Sequence, residues 1–212
     1  MTKQIVFVDG MGGKRYMRRT LKNFFTARGY AVHFFDYSTS KQSLADIKSQ
    51  LTAFLLGIAS QGKYCAIGYS FGGILLRLVL QEHENAMIFP SRLVLLASPI
   101  RSNRLSRRFK NWNIYKALTG DCGLIATDDR LMSTISIPSI PTACIYGVWP
   151  WLGVLGLFEG CKLQHDGMIA VDELLSPDFA LTVEINASHA FIPGNSVALS
   201  HTLAWFENVW NV

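Results

Sequence analysis

Residues 64–80 read YCAIGYSFGGILLRLVL, and the order of residue types in this stretch decides the fold. Tyr64–Ile67 is a short apolar run of strand length. It enters Gly68-Tyr69-Ser70-Phe71-Gly72, a G-x-S-x-G string, and Gly73–Leu80 then leaves as an apolar helical run. Five residues match such a string often by chance, but strand, tight turn and helix together form a more specific context. Small residues at 68 and 72 let the backbone pass closely. The turn then lifts the Ser70 hydroxyl above the sheet, with a helix N-terminus facing any negative charge that develops there.

The same alternation extends in both directions. Gln4–Val8, Ala31–Tyr37, Leu93–Ala97, Ala143–Tyr146 and Leu181–Ile185 read as further strands. Between the first two, Met17, Leu21, Phe24 and Phe25 recur at helical spacing until Gly29. Ser43 is placed to cap a helix with the apolar face Leu44, Ile47, Leu51, Phe54, Leu55 and Ile58. A last amphipathic helix carries Leu199, Leu203, Phe206 and Trp210. Strands that are nearly continuous apolar runs, alternating with helices, predict a doubly wound, mostly parallel α/β sheet of about six strands covered on both faces. The whole chain, 1–212, is expected to be one domain, with 99–136 as a candidate cap insertion of helix and loop.

Composition narrows the function classes. Half of the 212 residues are apolar and 17% are charged, which excludes disorder. Twenty Lys and Arg against 15 Asp and Glu give a formal charge of +5, a weaker bias than nucleic-acid binders usually carry. Cys65, Cys122, Cys144 and Cys161 are widely spaced, without a CxxC or Cys/His ligand pattern. They are expected to be free thiols, and with no signal peptide at the start the expected location is cytoplasmic. Thr142–Phe158 is 17 residues without a charge, short of a membrane span and broken by Pro150 and three glycines. It is read as a buried strand followed by an apolar loop.

A serine hydroxyl needs a base to become a nucleophile at neutral pH. Of five histidines, His33 lies within a strand, His83 in a helix tail and His201 in the last helix; His165 precedes an Asp-Gly turn. His189 follows the last strand, so in a parallel sheet it reaches the edge where Ser70 sits, and it is the expected base. The acid that orients the imidazole should lie between the last two strands, among Glu159, Asp166, Asp172, Glu173 and Asp178. Asp166, in the tight turn His165-Asp166-Gly167, is preferred. Asp172 is the next choice, although Asp172 and Glu173 look like the acidic start of a helix. The oxyanion donors are expected to be the backbone N–H of Phe71 and of Met11 in the DGMGG loop at 9–13, which the strand order sets beside Ser70. A phosphate-cradling role for that loop is disfavoured, since it lacks both G-x-G-x-x-G and a Walker Lys-Ser/Thr pair.

With these residues in place, the sequence resembles the α/β-hydrolase superfamily, in its serine lipase/esterase branch. GYSFGGILLR resembles the elbow GHSLGG with Tyr69 for the common His, and DGMGG resembles the oxyanion loop with Asp9 for the His. HDGMIAVDE resembles the motif bearing the triad acid, and NASHAF the loop bearing the catalytic His. The resemblance implies ester cleavage through an acyl-enzyme on Ser70, with no metal and no cofactor. A thioesterase or acyltransferase on the same triad, or a non-catalytic binding protein on the same fold, are the alternatives. Two clusters on the active-site edge hold nine of the basic residues: Lys14, Arg15, Arg18 and Arg19, then Arg101, Arg104, Arg107, Arg108 and Lys110. With the apolar loop Trp149–Phe158, they suggest a lipid-like ester as substrate and peripheral contact with an anionic membrane; no nucleic acid is expected.

Overall fold

The computed structural model of the chain describes residues 2–12, 15–83, 88–151, 155 and 163–210. Six strands form one sheet in the order β2-β1-β3-β4-β5-β6, every pair parallel. They are β1 (Lys3–Val8), β2 (Tyr30–Phe35), β3 (Tyr64–Tyr69), β4 (Arg92–Leu96), β5 (Thr142–Gly147) and β6 (Leu181–Ile185). Helices α1 (Arg15–Thr26), α2 (Leu44–Ala59) and α3 (Phe71–Glu82) connect the early strands, and Ser43 caps α2 by accepting from the Asp46 N–H.

Side-chain alternation along the strands divides the core in two. Ile5, Phe7, Ile67, Val94 and Ile145 face one way and pack with α1 and the last helix, α7 (Ser196–Trp210), through Leu21, Phe25, Leu199 and Phe206. Val6, Val8, Ala66, Leu93 and Leu95 face the other way, onto Ile47, Leu51 and Leu55 of α2 and Ile74, Leu75 and Val79 of α3. Because neither face of the inner strands is wet, β1, β3, β4 and β5 carry no polar alternation and read as continuous apolar runs, whereas the edge strand β6 alternates, with Thr182 and Glu184 exposed.

Between β4 and β5 the chain makes an excursion through α4 (Arg104–Phe109), α5 (Asn113–Thr127) and α6 (Asp129–Ser133). Gly120, at φ 51°, kinks α5; a Cβ there would lie 2.5 Å from the Thr39 carbonyl oxygen. The fully buried Arg77 on α3 gathers both ends of the excursion. Its guanidinium donates to the Pro99 carbonyl at 3.1 Å and to the carbonyls of Ile135 and Ser136. No carboxylate pairs with Arg77 among the described residues, and burial lowers its pKa to about 10. Carbonyl dipoles alone therefore satisfy this charge.

The registers align the strand ends. Val8 pairs with Gly68, Tyr69 with Leu96, and Gly147 with Ile185. The loops after β1, β3 and β6, and the connection leaving β5, therefore open on one edge, where ligands of open α/β sheets bind.

Candidate active site

Ser70 stands between the last residue of β3 and the first of α3, at φ 52° and ψ −123°. This is a strained conformation for a residue with a side chain, of the kind found where geometry serves a site. Close approach makes the turn possible. A Cβ on Gly68 would lie 2.4 Å from the Gly73 Cα, and one on Gly72 would lie 2.1 Å from the Val8 carbonyl oxygen. The Ser70 N–H donates to the Leu96 carbonyl at 2.9 Å and ties the turn to β4.

His189 opens a 3-10 turn, His189–Gly194, just past β6. Its Nε2 lies 3.1 Å from the Ser70 Oγ and its Nδ1 lies 2.7 Å from the Asp166 Oδ2. Asp166 is fully buried. Its Oδ1 accepts from the N–H groups of Met168 (2.9 Å) and Ile169 (2.8 Å), while its carbonyl accepts the His189 N–H at 2.8 Å. The acid and the imidazole are thus joined through both side chain and backbone. Tyr69, where the resembling elbows carry His, donates its hydroxyl to the His189 carbonyl at 2.8 Å and sets its ring 5.1 Å from the imidazole.

The loop after β1 lies against the serine, as the strand order implies. A Cβ on Gly10 would sit 3.0 Å from the Ser70 Cβ, so a larger residue there would press on the serine. Asp9 braces this loop. It is buried, accepts the Gly10 N–H at 2.9 Å and pairs with the Arg18 Nε at 3.0 Å, and its carbonyl accepts the Tyr37 hydroxyl. Burial is the largest influence on Arg18 and opposes its charge. The hydrogen bonds and charges of Asp36 and Asp9 together still hold its pKa above the ordinary value. Met11 and Phe71 both border the cleft above Ser70.

The cleft has a volume of about 200 Å³, and its apolar walls come from Phe71, Ile74, Pro99, Ala126 and Ile169. Asn103 and Ser106 of the excursion also border it. The excursion is fastened to the Asp166 turn by Glu173, whose side chain is almost fully buried. Glu173 accepts from the Asn103 Nδ2 (2.9 Å), the Arg104 N–H (2.8 Å) and the Ala170 N–H (3.1 Å). Burial raises the Glu173 pKa, and these bonds only partly offset it. Asp172 is held below its usual range, chiefly by its hydrogen bonds to Arg104.

Ser70, His189 and Asp166 are brought together as expected. Asp172 is not near the imidazole; it pairs with Arg104, and Asp172 and Glu173 belong to a short 3-10 turn rather than to an α-helix start. Glu159, most of the 149–158 loop and Cys161 lie outside the described residues. The expected basic rim is partly spent internally: Arg18 on Asp9 and Asp36, Arg104 on Asp172 and Glu173, Arg107 on Asp129. The brace formed by Asp9, Arg18 and Tyr37 was not legible in sequence, because its partners are brought together only by the folding of β1 against β2. The only local hint at the Glu173 clasp is Asn103, an N-cap residue before α4.

A parallel sheet in this strand order, with a strained serine between β3 and α3, is the α/β-hydrolase fold. No protein-family model and no curated protein matches the chain. Solved structures do. The chain is similar to the mature form of the lipase BlEst2 from Bacillus licheniformis, with a TM-score of 0.77 and 18% identity, over 97% of this chain and 92% of that one. It is also similar to the metagenomic carboxyl esterase MGS0156, with a TM-score of 0.69 and 13% identity over 98% and 76% of the two chains. Tomato methylketone synthase I, complexed with 2-tridecanone, matches with a TM-score of 0.60 and 14% identity over 98% of each chain. Identities this low carry the fold, and the chemistry must be argued from the site.

Proposed function

We propose that this chain is a serine hydrolase that cleaves carboxylic esters through an acyl-enzyme on Ser70. The observation that carries the reading is the line of hydrogen bonds from Ser70 Oγ to His189 Nε2 at 3.1 Å and from His189 Nδ1 to Asp166 Oδ2 at 2.7 Å. In the first step His189 takes the Ser70 proton as Oγ attacks the ester carbonyl carbon. Asp166 holds the ring with Nε2 toward the serine and stabilises the imidazolium. The N–H groups of Met11 and Phe71 bind the oxyanion. Collapse of the intermediate breaks the bond to the alkoxy oxygen, which receives its proton from His189. Water, deprotonated by the same imidazole, then attacks the acyl-enzyme and regenerates Ser70.

The apolar walls of the cleft favour an uncharged acyl group. At about 200 Å³ it is somewhat roomier than a cavity that accepts benzene, which suits an acyl chain of roughly four to eight carbons. The esterase and lipase names among the structural neighbours agree with an ester substrate. Cys65, Cys122 and Cys144 are buried free thiols, consistent with a reducing compartment such as the cytoplasm. Among the described residues no helix is long and apolar enough to cross a membrane.

A chain-length series of p-nitrophenyl esters, with matched acyl-CoA thioesters and an alcohol acceptor, tests the reading. It predicts ester turnover that peaks at a medium chain and vanishes in Ser70→Ala. Preference for thioesters would instead favour a thioesterase, transfer to the alcohol in preference to water an acyltransferase, and indifference to every donor a binding protein.

A further inference from the structure

The outer side of the excursion is unlike the rest of the surface. Trp112 is 60% exposed, Ile114 72% and Leu118 63%. Ile114 and Leu118 stand four residues apart on α5, hence on one helical face, and Trp112 caps that helix with its ring against Phe109. Large apolar side chains are commonly exposed singly; three within seven residues on one short element are not. The position is fixed rather than frayed. The Thr39 hydroxyl donates to the Leu118 carbonyl at 2.7 Å, and Gly120 packs on the Thr39 backbone. The α5 face is thereby held outward.

Charge decides what this face fits. From Arg104 to Leu118 there are five cations and no acid. Arg104 and Arg107 pair with acids elsewhere, but Lys110 and Lys116 are exposed in the same stretch, Lys116 on the other flank of α5 from Ile114 and Leu118. A second copy docked here would bring like charges together, whereas a sheet of anionic headgroups over acyl chains complements both features. The inner side of the same excursion borders the cleft through Ser106 and Ala126. Trp151, 62% exposed and stacked on Trp149, borders that cleft as well.

We propose that Trp112, Ile114 and Leu118, flanked by Lys110 and Lys116, form a docking face for an anionic lipid bilayer. It deepens the ester-hydrolase reading by naming the surface at which the substrate would be met, and it rests on that reading for its purpose only. Docking places the apolar side chains among the acyl chains and the two lysines at the headgroups.

Co-sedimentation with vesicles tests this. One set is phosphatidylcholine alone; the other contains about 30% phosphatidylglycerol, at low salt and at about 0.5 M salt. The protein should pellet with the anionic vesicles at low salt. Binding should fall about tenfold or more in Ile114→Ser/Leu118→Ser, in Lys110→Glu/Lys116→Glu, and for the unmodified protein at high salt. Both double variants should hydrolyse a soluble short-chain ester at the unmodified rate, which shows that they are folded. Ser70→Ala should bind vesicles fully, so a failed catalytic reading is distinguished from a failed docking face. Equal pelleting with both vesicle types, none with either, or a dimer in light scattering that Ile114→Ser/Leu118→Ser dissolves would overturn the proposal.

Discussion

Replacing Gly72 by Ala sets two physical effects against each other. Gly72 is the second residue of α3, and helix propensity alone predicts a gain of up to about 1 kcal/mol. The structure predicts the opposite sign. The added Cβ would stand 2.1 Å from the Val8 carbonyl oxygen and 2.4 Å from that of Asp9, where real contacts essentially never fall under 3.0 Å. Both obstacles are backbone, so α3 and the end of β1 must separate by about 0.9 Å, the gap between 2.1 and 3.0 Å. Forcing a methyl into a packed site costs about 1–3 kcal/mol, and with the propensity gain subtracted a net loss of roughly 1–2 kcal/mol is expected. The same movement carries the loop holding Met11 away from Ser70. A misplacement near 1 Å costs about a hundredfold in rate, or about 2.7 kcal/mol of transition-state stabilisation. The assay is kcat/KM on p-nitrophenyl butyrate together with the urea midpoint. Gly57→Ala serves as the control, since Gly57 lies in α2 with nothing within 4 Å of its added Cβ. If Gly72→Ala matched the unmodified protein in both rate and midpoint, the claimed contact between the serine turn and the β1 loop would be wrong.

Asp166→Asn preserves the bonds from the Met168 and Ile169 N–H groups but turns an amide toward His189 Nδ1 and favours the wrong tautomer. We expect kcat to fall about 10³–10⁴-fold with little change in melting temperature, as read by steady-state kinetics and circular dichroism. Arg104→Ala removes one donor side chain from the buried Glu173 and should cost about 1–3 kcal/mol in urea unfolding near neutral pH. Because the folded Glu173 pKa lies above its ordinary 4.5, stability attributable to this group falls as pH rises from 4.5 through the folded value. Losing Arg104 should raise that folded value further, so the variant's deficit should shrink on acidification; a deficit that grows there would contradict the clasp. Burial pushes the thiols of Cys65 and Cys144 to about 12 and that of Cys122 to about 11. All three should resist Ellman's reagent in the native protein at neutral pH and react on unfolding, which a timed absorbance titration would show.

The features legible in sequence are those written in local pattern. Apolar runs of strand length, the Ser43 cap and the glycines around Ser70 announce the alternation, and parallel pairing then sends His189 and the Asp166 turn to the serine's edge. What could not be read depends on long-range pairing. Residues 101–136 were expected only as helix and loop, because Gly120 interrupts the helical period and short helices carry little periodicity of their own. They are fastened by Arg77 to distant carbonyls and by Glu173 to Asn103, links with no fixed spacing in the chain. Arg18 illustrates the same limit. In sequence it is one cation of a basic cluster, whereas in the fold it braces Asp9 in the loop after β1. Charge clusters report composition, and only packing tells which of their members are spent.

Intact-mass spectrometry after treatment with a fluorophosphonate probe tests the reactive serine most directly. The account predicts one adduct per chain, mapped to Ser70 by peptide digestion, with labelling abolished in Ser70→Ala and strongly slowed in His189→Ala. A protein that stays unlabelled, or one labelled equally well after Ser70→Ala, would contradict it.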